Sequence, residues 1–164
     1  MNHQLMRRGR VLVVDDEGLI RNALRRSLAH EHDVTAANDG FDALELIEAG
    51  ARFDVILCDL KMPGMNGADL LGAIAELDGG QADRMLFITG DSSDLAARVS
   101  DHIVIGKPFD PKCVRKLVHD TAAAFQAGYF PERRPPAGTH REFETSAPTE
   151  PMIIIPLSVL AHAR

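Results

Sequence analysis

The sequence predicts an α/β protein, a doubly wound parallel sheet of five strands with helices on both faces. Three observations carry that expectation. Short β-branched runs alternate with amphipathic segments five times within about 120 residues. Three of those runs are apolar almost throughout, as suits parallel strands covered on both faces. The acidic, hydroxyl and lysine side chains most suited to chemistry fall where the runs end, and such sheets bind ligands at the carboxyl ends of their strands.

The strands come in order. RVLVVD at 10–15 is the first, and DVTAA at 33–37 is a weaker second, polar enough to be an edge. DVILCD at 54–59, RMLFIT at 84–89 and HIVI at 102–105 follow, and the first, third and fourth runs are the near-continuous apolar ones. Helices fall between them. In 17–30, Leu19/Ile20, Ala23/Leu24 and Ser27/Leu28 recur at i, i+4 and i+8, with Arg21, Arg25 and Arg26 off that face. In 40–49, Phe41, Leu44 and Ile47 share a face; in 66–77, Asn66 is the expected N-cap and Leu70, Leu71, Ile74 and Leu77 the buried side. The segment 92–99 is short, opened by Ser92 or Ser93, with Asp94 in a first turn that favours negative charge. The segment 110–125 opens on Asp110 with Pro111 at the first helical position, and buries Val114, Leu117, Val118 and Phe125. Right-handed crossovers between parallel strands complete the doubly wound arrangement.

A chain of 164 residues, 45% hydrophobic, builds one domain with a real core and not comfortably two. With 24 acidic and 18 basic side chains the formal charge is −6, which disfavours nonspecific nucleic-acid binding. Cys58 and Cys113 make neither a disulfide framework nor a metal site; both read as reduced core residues of a cytoplasmic chain. The opening MNHQLMRRGR is followed only by VLVV, far too short for a signal or membrane helix. The seven histidines show no ligand spacing, and His30, His32, His102 and His119 are expected at the surface.

The character changes after Ala127. GYFPERRPPAGTHREFETSAPTEP has no periodicity and reads as a Pro-rich linker or disordered tail. Pro156 interrupts the closing MIIIPLSVLAHAR, which rules against a continuous helix or central strand. Residues 152–160 are left three fates: adding a strand to a sheet edge, docking on a second copy, or staying disordered. The expected division is a domain at 8–127 and a tail at 128–164 with no recognisable output or DNA-binding domain.

At the carboxyl rim the predicted fold gathers Asp15, Asp16 and Glu17, then Asp59, then Thr89 with Gly90 and Asp91, then Lys107 with Pro108 and Phe109. Carboxylates packed together repel and are pushed up in pKa unless a cation neutralises them. A hard divalent ion such as Mg²⁺ does so through oxygen ligands. One carboxylate can act as a nucleophile toward phosphorus. Phosphoryl transfer mainly needs positioning and charge neutralisation, which a metal and Lys107 supply, and the Thr89 hydroxyl can bond a phosphoryl oxygen. Taken alone, Asp59 reads equally well as a turn cap at a strand end.

Four pieces in this order, VLVVDDE at 11–17, DVILCDLKMPGMNG at 54–67, LFITGD at 86–91 and KPF at 107–109, resemble the receiver domain of two-component response regulators, CheY-like and stand-alone. The resemblance implies a flavodoxin-like fold with strand order 2-1-3-4-5. It implies Asp59 as phosphoacceptor, and Mg²⁺ held by Asp15, Asp16, the Asp59 carboxylate and the backbone carbonyl of Lys61. It implies Thr89 as the switch hydroxyl and Lys107 as the phosphoryl-binding cation, with a cis peptide before Pro108. The implied partners are a histidine kinase or histidine phosphotransfer protein and a downstream protein. A homodimer through the fourth helix, fifth strand and fifth helix, or through the tail, is a further implication. Such a chain is a switch, not a turnover enzyme. In the first helix, Ile20 is the expected apolar contact for the phosphodonor.

Two features depart from the family pattern. Val104 stands where an aromatic residue usually swings inward, so this residue cannot report phosphorylation by an aromatic swing, and either another element carries the signal or the response is muted. Lys61 and Asp91, two residues beyond Asp59 and Thr89, flank the path of hydrolytic water; the hypothesis is that they pair and slow loss of the phosphoryl group. Val104 also motivates an alternative, a receiver-like interaction module with a weakened switch. An Asp-nucleophile phosphatase is disfavoured because no second aspartate stands two residues after Asp59, and a flavin site because the chain has one Tyr and no Trp.

Overall fold

The structure, a computed structural model, describes residues 7–90, 94–128 and the backbone of 153–154. In chain order the elements are β1 (Gly9–Val14), α1 (Gly18–Leu28), β2 (His32–Ala37), α2 (Gly40–Glu48), β3 (Val55–Asp59), α3 (Gly67–Leu77), α4 (Gly79–Ala82), β4 (Met85–Thr89), α5 (Asp94–Arg98), β5 (Ile103–Gly106), α6 (Pro111–Gln126) and β6 (Ile153–Ile154). The sheet runs β2-β1-β3-β4-β5-β6. Its first five strands are parallel in the expected order, with Val11 opposite Val55 and Cys58 opposite Phe87 fixing the central register.

Period-two alternation explains the two apolar layers. Leu12, Val14, Ile56, Cys58, Met85 and Phe87 point to one face and pack with Ala43 and Ile47 of α2 and Leu70 and Ile74 of α3. Val11, Val13, Val55, Leu57, Leu86 and Ile88 point to the other and pack with Leu24 and Leu28 of α1 and Val114 and Val118 of α6. Every residue of β3 and β4 is buried, whereas β2, polar in sequence, is the sheet edge. Burying each of these large side chains contributes about 1.5–3 kcal/mol.

Side-chain caps define the helix starts. Asp39, Asn66 and Asp110 accept from the backbone N–H of Asp42, Asp69 and Lys112. Asp78 caps α4 through the N–H groups of Gly80 and Gln81. The sequence reading does not place α4, because a four-residue turn carries no periodicity.

Six expectations about burial need correction. Leu19 is 88% exposed; Leu24 and Leu28 are the buried face of α1, with Ile20 packed beside them. Phe41 and Leu77 are more than half exposed, since Ala43 and Ile47 turn α2 inward and Leu70 and Ile74 turn α3 inward. Cys58 is buried but Cys113 is exposed, one position off the Val114 face of α6. His32 is buried, because the first residue of β2 lies opposite Gly9, which has no side chain to shield it from the core. His102 is half-buried, its Nε2 3.0 Å from the Ala82 carbonyl oxygen.

The segment with three open fates supplies β6. Its Ile153 and Ile154 lie antiparallel to Ile105 and Val104. Apart from Gly128, the rest of the expected tail, like Asp91 and the Ser92/Ser93 cap, lies outside the described residues. An uncovered strand edge is a template for pairing. Truncation after Gly128 is therefore expected to lower the melting temperature by a few degrees and promote self-association. Light scattering and thermal melts check this. Among the described residues, no helix is long and apolar enough to cross a membrane.

Candidate functional site

Four strands deliver the site. Asp15 follows β1, Asp59 and Thr89 end β3 and β4, and Lys107 follows β5. Parallel order puts these ends on one rim. The ladder pairs Thr89 with Gly106, and the Lys107 N–H donates to the Thr89 carbonyl at 2.7 Å. The Lys107–Pro108 peptide bond is cis.

The Lys107 ammonium donates to Asp59 Oδ2 at 2.9 Å. It also lies 3.5 Å from Glu17 Oε1 and 3.9 Å from Asp15 Oδ2. Asp59 Oδ1 accepts from the Lys61 N–H at 3.0 Å, and Asp15 Oδ1 from the Glu17 N–H at 2.8 Å. The Arg21 guanidinium, a helix residue the sequence places off the core, donates to the Asp15 carbonyl at 2.7 Å. Asp15, Asp59 and Thr89 are buried.

One oxygen stands out. Asp15 Oδ2 is buried and has no hydrogen-bond partner among the described residues. Burial, then the Asp59 and Asp16 charges, push the Asp15 carboxyl from its ordinary 3.8 up to about 6, against the lowering effect of the Glu17 N–H bond and Lys107. Burial pulls Lys107 down, but the Asp59 hydrogen bond and the charges of Asp59, Asp15 and Glu17 outweigh it and hold the ammonium above its usual range. Burial, then Asp59 and Asp15, push the Cys58 thiol well up, so Cys58 stays protonated and is no nucleophile.

Asp15, Glu17 and Asp59 each offer an oxygen within 4.8 Å of the others. Oxygen-only donors with one buried oxygen unsatisfied fit a hard divalent cation. The structure thus brings Asp15, Asp59, Thr89 and Lys107 together, while Asp16 is exposed and outside that oxygen cluster. Glu17 is the site neighbour that sequence reasoning missed as a participant; its only signal was adjacency to the acidic pair. The Lys61 side chain is exposed, its N–H engaged by Asp59; its expected partner Asp91 lies outside the described residues. Val104 is buried in the apolar layer that also holds Phe87, its ladder partner on β4.

The β3–α3 loop holds Asp59 in place. Leu60 N–H bonds the Ile88 carbonyl, Gly67 N–H bonds the Leu60 carbonyl, and Gly64 turns the chain at φ +77°. A Cβ on Gly67 would stand 2.7 Å from the Asp59 carbonyl oxygen and 3.0 Å from Leu60 Cα, both backbone. Gly67→Ala is expected to cost about 1–3 kcal/mol, as overpacking does, and to shift Asp59. Denaturant unfolding and Mg²⁺ titration check both effects.

The family described as "Response regulator receiver domain" matches residues 11–119. Chemotaxis protein CheY1 of Helicobacter pylori is 30% identical over 115 residues, covering 65% of this chain and 91% of CheY1. The hydrogenase transcriptional regulatory protein HoxA of Bradyrhizobium diazoefficiens is 30% identical over 121 residues, 72% of this chain but only 25% of HoxA. Among solved structures, a CheY-like receiver domain protein from Methanospirillum hungatei superposes with TM-score 0.65 at 25% identity, covering 74% of this chain and 99% of that one. Vibrio cholerae CheY4 does so with TM-score 0.61 at 30% identity, covering 70% and 98%.

Proposed function

Because the chain belongs to the response regulator receiver domain family of two-component signalling, we propose that it takes a phosphoryl group from a phosphohistidine onto Asp59 and so switches its protein contacts. The observation that carries the reading is the Lys107–Asp59 hydrogen bond beside the unsatisfied buried oxygen of Asp15. A nucleophilic carboxylate, a fixed cation and a place for a second cation are what phosphoryl transfer asks of a protein.

In the proposed step an Asp59 carboxylate oxygen bonds to phosphorus as the phosphorus–nitrogen bond breaks. The departing imidazole keeps the bonding electron pair and takes a proton from water. Mg²⁺, held by Asp15 and Asp59 and, by family resemblance, by Asp16 and the Lys61 carbonyl, would neutralise charge on the phosphoryl oxygens. Lys107 then exchanges its carboxylate partner for a phosphoryl oxygen, and the Thr89 hydroxyl turns toward the same group. A local charge event thereby biases a two-state element. Its readout is the face formed by α5, β5 and α6, where a downstream partner or a second copy binds. The chain acts as a signalling module in the cytoplasm, not as a turnover enzyme, with a domain at 8–127 and a tail at 128–164.

The phosphodonor, a histidine kinase or a histidine phosphotransfer protein, meets the rim beside α1. Leu19 rather than Ile20 is the apolar contact there, since Leu19 is the exposed one. The test is transfer of label from a phosphohistidine donor with Mg²⁺. Label on this chain, prevented by chelator, supports the reading, and label retained on every donor tried contradicts it. Lys61→Ala and Asp91→Ala are each expected to change the rate of phosphoryl loss; unchanged rates in both would remove those two residues from control of the hydrolytic water.

A further inference from the structure

We propose a second metal site, for a borderline transition ion such as Zn²⁺, made by His32, His119 and Glu31 at the end of the sheet opposite the phosphoacceptor. His32 opens β2, whereas Asp15, Asp59 and Thr89 lie at carboxyl ends, so the two sites occupy opposite rims of the parallel sheet.

His32 carries the argument. It is only 4% exposed, and neither ring nitrogen has a hydrogen-bond partner among the described residues. A buried polar group left unpaired costs about 1–3 kcal/mol. The ring does not face an apolar wall alone. The His119 ring centroid lies 5.9 Å away, and His119 Nδ1 is 3.3 Å from Glu31 Oε2. One donor atom from each of the three residues falls within 4.8 Å of the other two.

The donor set is chemically suited. Two imidazoles and a carboxylate are a known ligand combination for Zn²⁺, with a fourth position left for water. Ligand atoms about 2.0–2.2 Å from one ion lie about 3.4 Å apart, so a modest approach closes the site. His119 and Glu31 are free to make it, being nearly half exposed on α6 and the α1–β2 turn. Burial, then His119, lower the His32 pKa, which keeps the ring in the neutral form that ligates metal.

The neighbouring cations have other partners. Arg8 bonds Asp33 and the carbonyls of Ala29, His30 and His32. Arg115 sits 3.8 Å from Glu31 Oε1, leaving Oε2 to the His119 side. Bound metal would tie the start of β2 to the middle of α6, two segments 87 positions apart in sequence.

The test is calorimetric titration of the full chain with Zn²⁺ alone as ligand, in millimolar Mg²⁺ to occupy the other rim. The expected result is one Zn²⁺ per chain at micromolar affinity, weakened roughly tenfold or more in His119→Ala and in His32→Gln. His119 is exposed, so His119→Ala keeps the fold and decides the matter if His32→Gln does not fold. Absence of binding, or binding unchanged in His119→Ala, overturns the proposal. Asp59→Asn should bind Zn²⁺ as the native chain does, which separates this site from the phosphoacceptor.

Discussion

Asp59→Asn should reduce phosphorylation from any donor to background while leaving the fold intact. The amide has no anionic oxygen to bond phosphorus. It keeps a carbonyl oxygen for the Lys61 N–H, so the β3–α3 loop need not rearrange. Lys107 loses its 2.9 Å partner but retains Glu17 at 3.5 Å and Asp15 at 3.9 Å, and so is not stranded without a counter-charge. Removing the Asp59 charge also relieves Asp15, which that charge raises. Circular dichroism should be unchanged and phosphoryl incorporation absent. A fully labelled variant would move the acceptor elsewhere.

Asp15→Asn has the second large effect, and its two consequences have opposite signs. The folded chain raises Asp15 from 3.8 to about 6, so it holds that proton more tightly than the unfolded chain does. Ionising Asp15 therefore costs folded-state stability. The cost is absent below about pH 4, accumulates between about pH 4 and 6, and is complete above that, at about 3 kcal/mol in the absence of metal. Without metal, Asp15→Asn should be more stable than the native chain at pH 7, and the two should converge toward pH 4. The same change removes a buried carboxylate from the oxygen cluster, so Mg²⁺ affinity should fall. Denaturant unfolding across this pH range and Mg²⁺ titration check the pair. Equal stability at pH 7 would mean the carboxylate is not strained by burial. Stability given up for function is common at such sites.

The central strands were the most legible part of the chain. VILC and MLFI leave no polar face, and the rim chemistry follows once parallel order is accepted, because Asp59 and Thr89 close those runs. What stayed hidden depended on geometry that no local pattern encodes. The four-residue α4 is too short for a period to register. In α1 the pairs Leu19/Ile20 and Ala23/Leu24 offered two overlapping faces, and only packing against the sheet shows that Leu24 and Leu28 turn inward. The histidines show no ligand spacing and so read as surface residues, yet His32, the first residue of β2, tucks over Gly9. Its meeting with His119 comes from α6 crossing that corner of the sheet, which spacing along the chain cannot reveal. Glu17 was visible as part of an acidic triplet, but its proximity to Lys107 depends on the turn into α1.

The central claim is that the cluster of Asp15, Asp59 and Lys107 is a phosphoryl-accepting site working with a divalent cation. Its most direct measurement is the intact mass of the full chain after incubation with acetyl phosphate and Mg²⁺, followed by borohydride reduction to mark the phosphorylated carboxylate. The account predicts one phosphoryl group per chain, located at Asp59 and absent when Mg²⁺ is chelated. An unmodified mass, or a group located on any other residue, would contradict it.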